Sequence, residues 1–152
     1  MPKLDLAAIP FVESTGYPGS LAECVRGRSY QRLTEAAGLT QFGVNICRLQ
    51  PGAASSIRHW HKNEDEFVMM LEGELILIEN EGETVMRPGD CAGFKAGVAN
   101  GHHLVNRSCK VAALLVIGTR AKYETAHYPD VDLHFVRDAS GSRYTHKDGT
   151  AY

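Results

Sequence analysis

The sequence predicts an all-β protein, an antiparallel sandwich or barrel, and three observations point that way. Almost no segment carries a sustained helical period. From about Phe42 the chain divides into short apolar or alternating runs of strand length. The breaks between them, Pro51-Gly52, Gly73, Glu81-Gly82, Pro88-Gly89 and Gly97, carry turn chemistry at roughly ten-residue spacing, with no crossover helix between runs.

Residues 1–41 read as an N-terminal arm. Ser20–Val25 suits a turn or two of helix, with Ser20 as cap, Leu21 and Val25 four apart, and Gly27 as the stop. One strand is expected at Tyr30–Leu33. The runs that follow are Phe42–Leu49, Ser55–His61, Glu66–Leu71, Glu74–Asn80, Glu83–Arg87, Cys91–Phe94, His102–Asn106 and Lys110–Gly118. Leu75-Ile76-Leu77-Ile78 is apolar on both faces, so that strand should be covered on both sides. Residues 119–152 are polar, with one strand candidate at Asp132–Val136 and a tail. The expectation is a single domain over 1–152, with a barrel over about 42–118, the arm before it and a C-terminal extension of 119–152.

Composition bounds the function. The chain has 152 residues with sixteen Lys+Arg against eighteen Asp+Glu, a formal charge of -2, so no basic field argues for nucleic acid. At 43% hydrophobic residues it is too apolar for a disordered chain. No apolar run approaches the ~18 residues of a membrane span, and the N-terminus lacks a signal-peptide core. Cys24, Cys47, Cys91 and Cys109 form no CxxC pair and read as buried small residues in a reducing compartment. The expected location is the cytoplasm.

The chemistry lies in the histidines, seven in all. His59 and His61 are two apart, so on a strand both face one side while Trp60 faces the other. Glu66 opens the next strand, with Val68 and Met70 on its face. Two imidazoles and a carboxylate on adjacent strands bind iron, manganese, zinc, nickel or copper. His102, opening a later strand, supplies a fourth arm. An isolated His-x-His is common; what carries weight is its combination with Gly52 before, Glu66 and Gly73 after, and a further histidine downstream.

These residues resemble the motifs of the cupin superfamily. Gly52 is followed by six residues, then His59-Trp60-His61, four residues, Glu66, six residues and Gly73. Gly89 is followed by five residues and Lys95-Ala96-Gly97; after four more comes His102, with Asn106 four positions on. The sequence departs from the family pattern in a first spacer one residue longer, in Lys95 where proline is usual, and in two extra residues before His102. The resemblance implies an antiparallel double-stranded β-helix, a jelly-roll barrel, with N- and C-terminal extensions. It implies one divalent transition metal (Zn, Fe, Mn, Ni or Cu) on His59, His61, Glu66 and His102. The His-x3-Asn spacing selects His102 over His103, and only Glu66, not Glu64, keeps the step to Gly73. The tail, with YPDVDL at Tyr128–Leu133 and THKDGT at Thr145–Thr150, also resembles a group of small bacterial cupins.

Around that site several residues read as bystanders. Asn106 suits a strand-end hydrogen-bonding role, Cys91 the wall, and Met69 and Met70 core filling. His103 is expected on the outside of the barrel, and His127, His134 and His146 at the surface. Trp60 is expected to pack against the arm or a partner subunit, compatible with a homodimer. Two functions stay open. One is a metal-dependent enzyme on a small polar organic molecule, by dioxygenase, isomerase or lyase chemistry; the other is a non-catalytic small-molecule binding or sensing module. No serine triad, phosphate loop or dinucleotide fingerprint is present. No second group able to move a proton is evident, so the catalytic residues are unknown.

Overall fold

The Lys110–Gly118 run becomes the central strand of the largest sheet, paired along both edges. A computed structural model describes residues 3–152, so the first two residues of the expected arm lie outside the described residues. The strands are β1 (Arg28–Arg32), β2 (Phe42–Leu49), β3 (Trp60–His61), β4 (Glu66–Glu72), β5 (Leu75–Glu79) and β6 (Gly82–Met86). They continue as β7 (Cys91–Phe94), β8 (His103–Val105), β9 (Ala112–Thr119), β10 (Glu124–Tyr128), β11 (Leu133–Asp138) and β12 (Gly141–Thr145). A one-turn helix, α1 (Leu33–Ala36), follows β1.

One wall is a five-stranded antiparallel sheet in the order β1-β2-β9-β4-β7. The other is built from β12-β11-β10-β3 and β6-β5-β8, stitched together by antiparallel bridges His59↔His102 and Ala54↔Val105. The two walls face one another as a jelly roll, the double-stranded β-helix expected from the motifs. Alternation sends Cys47 and Leu49, Val68 and Met70, Leu75 and Leu77, and Leu114 into one core, every one of them at most 4% exposed. Ile57, Ala126, Tyr128 and Leu133 form a smaller cluster at the C-terminal end.

Several elements differ from expectation, each for a local reason. The Ser55–His61 run pairs only in part. The Ser55 hydroxyl accepts the Leu104 N–H (3.0 Å), while the Ser55 carbonyl turns to accept from Arg28 Nη1 (2.6 Å). The His102–Asn106 strand shortens to β8, because Asn106 turns its side chain to bond the Leu49 and Lys110 carbonyls (2.9 and 2.8 Å). Ser20 is not a cap: the 3-10 turn spans Gly19–Val25 behind Pro18. The strand near Tyr30 begins earlier, at Arg28, and ends where α1 takes Leu33. The extension holds three strands rather than one, so strand pairing runs past both expected barrel limits, into β1 and β10–β12. Leu75 and Leu77 are buried but Ile76 and Ile78 only half-buried, so that strand is fully covered on one side. Of the cysteines only Cys47 is buried, its thiol pushed up to about 12 by burial. Cys24, Cys91 and Cys109 are exposed, and Cys91, though it opens β7 of the wall, is not buried in it.

Gly73 makes the turn from β4 to β5 at φ 76°. A Cβ there would meet the Ala112 Cβ at 2.9 Å and backbone atoms at 3.0 Å. Gly73→Ala therefore combines left-handed strain with a clash against the central strand. It is expected to destabilise by about 2–4 kcal/mol, read as a lowered denaturant midpoint at unchanged slope. Among the described residues no helix is long and apolar enough to cross a membrane.

Candidate metal centre

His59 and His102 face each other across the bridge between the two halves of the second wall. Each backbone N–H donates to the other's carbonyl, at 3.2 Å from His59 and 2.9 Å from His102, a mutually bonded pair whose side chains share a face. Their ring centroids are 5.2 Å apart. His61, two residues beyond His59, returns to the same face with its ring edge-on to His59 at 4.8 Å. Glu66, at the start of β4 in the opposite wall, points its carboxylate at all three. Glu66 Oε2 lies 3.5 Å from His61 Nε2, 3.8 Å from His102 Nε2 and 3.9 Å from His59 Nε2.

The hydrogen bonds behind the rings fix which nitrogen faces the centre. His59 Nδ1 donates to the Ile57 carbonyl (2.9 Å) and His102 Nδ1 to the Asn100 carbonyl (3.0 Å), leaving each Nε2 with a lone pair. His61 Nδ1 faces the carboxylates of Glu124 (3.6 Å) and Glu64 (3.9 Å). His59 Nε2 and His61 Nε2 then stand 3.0 Å apart, and His102 Nε2 is buried with no partner. Lone pairs so close, beside an ionised carboxylate, call for a cation. Two donors each ~2.1 Å from one ion can be at most ~4.2 Å apart, a limit met by the His59–His61 pair and by Glu66 with each histidine. His59, His61 and Glu66 form a group whose ligand atoms lie within 4.8 Å of one another and could hold an ion, and His102 stands beside it at 3.8 Å from Glu66.

Electrostatics agree with that reading. Burial, outweighing nearby Glu66, pushes His59 down to about 3, which keeps it in the neutral form a ligand needs. Burial alone would raise the Glu66 carboxyl, but the imidazoles of His102, His61 and His59 hold it well below the usual carboxylate range. His61 is drawn upward despite burial by Glu66, Glu124 and Glu64, so this corner of the site favours positive charge.

The neighbouring side chains have partners of their own. Glu64 is engaged elsewhere, its Oε1 accepting from Arg137 Nη1 (2.7 Å) and the Ala121 N–H (2.8 Å). His103 turns away, Nδ1 donating to the Ser56 carbonyl (2.9 Å). Trp60 faces away from the histidines as alternation requires, but it stacks on His127 (4.2 Å, 12°), not on the arm. His127 in turn meets His134 across the β10–β11 pair, and His146 bonds Asp132 near the tail.

Sequence reasoning missed the strand behind the site. On β10 Glu124, Ala126 and Tyr128 alternate inward, each at most 4% exposed. Glu124 accepts the N–H groups of Lys62 and Asn63 (2.9 Å each), fixing the chain just after His61. Tyr128 stacks under His59 at 5.6 Å. Phe94 lies flat on His102 at 3.5 Å and 3°. The period-two pattern of Glu124-x-Ala126-x-Tyr128 was the available signal.

The histidines line two cavities. The first, of about 170 Å³, is lined by His61, His102, Phe94, Lys95 and Asn100. The second, of about 190 Å³, is lined by His59, Glu66, Tyr17, Arg28 and Tyr30, with the core residues Val68 and Leu104. Both fall below the ~300–1,000 Å³ typical of pockets for drug-sized ligands, so the site suits a small molecule.

A cupin domain family matches residues 45–118. The chain is 52% identical to a protein of Silicibacter pomeroyi named a sugar phosphate isomerase from a cupin superfamily, over 99% of this chain and 96% of that one, with a TM-score of 0.95. A proposed sugar phosphate isomerase from Acidithiobacillus ferrooxidans is 26% identical, over 82% of this chain and 80% of that one, with a TM-score of 0.74. The polyketide cyclase RemF of Streptomyces resistomycificus, 16% identical over 91% of this chain and 85% of that one with a TM-score of 0.65, shares the fold alone. No curated protein matches. With its motifs on the facing strands of a jelly roll and a full-length relative of that family, the chain belongs to the cupin superfamily.

Proposed function

We propose that the protein is a metal-dependent isomerase acting on a small phosphorylated sugar. The observation that carries this reading is the 52% identity, over nearly the whole of both chains, to the Silicibacter pomeroyi sugar phosphate isomerase. The grouping of His59, His61 and Glu66, with His102 beside Glu66, supports it, since a divalent ion held there would supply Lewis-acid polarisation of a sugar oxygen. Isomerisation of this kind moves hydrogen between neighbouring carbons with no net oxidation. It therefore needs no electron carrier beside the metal. In this reading the histidines keep their Nε2 lone pairs aimed inward, Phe94 shields one face of His102, and Glu124 anchors the backbone after His61.

The test is direct. The metal-loaded protein is incubated with aldose phosphates of three to six carbons and the products followed by NMR. A ketose phosphate from at least one of them, lost on chelation and restored by metal, is the expected result. Ligand-dependent stabilisation with no turnover of any of them would favour the binding-module reading instead. Glu124→Gln, which removes negative charge behind His61, is expected to weaken metal binding about tenfold to a hundredfold with little change in the far-ultraviolet spectrum, measured by competition with a chelator.

We also propose that the chain forms a homodimer through the outer face of the five-stranded sheet. Val44 and Ile46, Leu115 and Ile117, and Phe67 and Met69 align there in register, and Phe67 is 40% exposed. Sedimentation should give a dimer for the wild type and a monomer for Phe67→Asp; a monomeric wild type would refute it.

A further inference from the structure

We propose that Arg28 is the anion-binding residue of the site, holding the substrate's phosphate group in the cavity it lines with His59 and Glu66. The identity of the anion rests on the isomerase reading above; the anion site itself rests on the following geometry.

Arg28 and Tyr30 lie on the same face of β1, opposite Leu49 and Cys47, which are wholly buried in the barrel. That register sends the guanidinium inward, and Arg28 is only 8% exposed. Among the described residues no carboxylate pairs with it. Its two terminal nitrogens instead donate to backbone carbonyls, Nη1 to Ser55 (2.6 Å) and Nη2 to Ser14 (3.1 Å). The Nε–H is buried with no acceptor at all. A neutral carbonyl orients a guanidinium without cancelling its charge, and a buried charge left uncompensated is costly. Glu66, the acid lining the same cavity, is committed to the three histidines. The cavity therefore holds a fixed positive charge in the same wall set as His59 and Glu66, with a donor to spare.

Its surroundings are those of an oxyanion receptor. The Tyr30 ring braces the guanidinium at 5.0 Å, and its hydroxyl donates to the same Ser55 carbonyl (3.4 Å), within reach of redirection to a ligand. Tyr17 closes the cavity from the arm, accepting the Ile57 N–H at 3.3 Å. A planar fork of N–H donors, pre-oriented by carbonyls and flanked by hydroxyls, matches the tetrahedral oxygens of a phosphate ester. Because His59 and Glu66 line the same cavity, a phosphate on Arg28 keeps the rest of a short sugar beside the histidines. The rival cation, Lys95, is an exposed side chain that lines the first cavity.

The experiment titrates the as-purified full chain with glycerol phosphate, with glycerol as the uncharged control, by calorimetry. Binding of glycerol phosphate but not glycerol is expected, weakened about tenfold or more in Arg28→Lys, which keeps the charge but loses the fork. In the wild type, the Nε–H correlation of Arg28, assigned by its disappearance in Arg28→Lys, should shift on adding glycerol phosphate. That measurement needs no variant to bind. An unshifted Nε–H resonance at saturation, undiminished affinity in a folded Arg28→Lys protein, or a loss confined to Lys95→Met would overturn the proposal. Absence of any phosphate-dependent binding overturns it too. Arg28-dependent binding without isomerisation of any sugar phosphate would sink the isomerase reading and leave this inference standing.

Discussion

His102→Ala is expected to strip the protein of nearly all its metal, while His103→Ala retains close to the wild-type amount. The two residues are neighbours on a chain running into β8, so their side chains point to opposite faces. His102 is 2% exposed, has its Nδ1 tied to the Asn100 carbonyl and leaves an unpartnered Nε2 at 3.8 Å from Glu66. His103 spends its Nδ1 on the Ser56 carbonyl and reaches none of the other three groups. Removing a direct ligand should cost more than the roughly tenfold to hundredfold lost when a residue behind a ligand is changed. Elemental analysis of the two variants side by side checks this, and equal metal in both would contradict it.

Glu66→Gln is expected to be at least as severe, lowering metal affinity by about a hundredfold or more. The carboxylate is the sole anion within reach of all three Nε2 atoms among the described residues, at 3.5 to 3.9 Å. An amide of the same shape supplies an oxygen but no charge, so a divalent ion would sit against three neutral imidazoles in a buried site. The readout is chelator competition on Glu66→Gln, with Glu64→Gln as the comparison. Glu64 already serves Arg137 and the Ala121 N–H, so its loss should act on stability more than on metal affinity.

Much of the site was legible because strand alternation is a strong rule. Two residues apart means one face, so His59 and His61 were bound to converge and Trp60 to diverge, and the spacing to Gly73 separated Glu66 from Glu64. The barrel strands were legible for the same reason: β2, β4, β5 and β9 are carried by Ile, Leu, Val and Met in runs that end at glycine or proline. What was hidden is what depends on pairing between distant segments. Glu124 and Tyr128 sit in a stretch that reads as polar, and only the pairing of β10 with β3 places them behind His61 and His59. Arg28 lies outside the family motifs, on a strand whose inward face is decided by its register against Cys47 and Leu49. Trp60 was expected against the arm or a partner subunit because nothing local marks His127 as its neighbour, sixty-seven positions on by number but directly opposite in the sheet. The exposed cysteines misled in a simpler way, since free cysteine is usually buried and Cys91 lies on an outward position of an edge strand.

The central claim is that four side chains from facing strands hold one metal ion. The most direct test is the metal content of untagged protein purified without chelator, measured by mass spectrometry beside His59→Ala. The account predicts about one equivalent of a single divalent transition metal in the wild type and almost none in His59→Ala. Sub-stoichiometric metal in the wild type that reconstitution does not raise, or metal unchanged in His59→Ala, would contradict it.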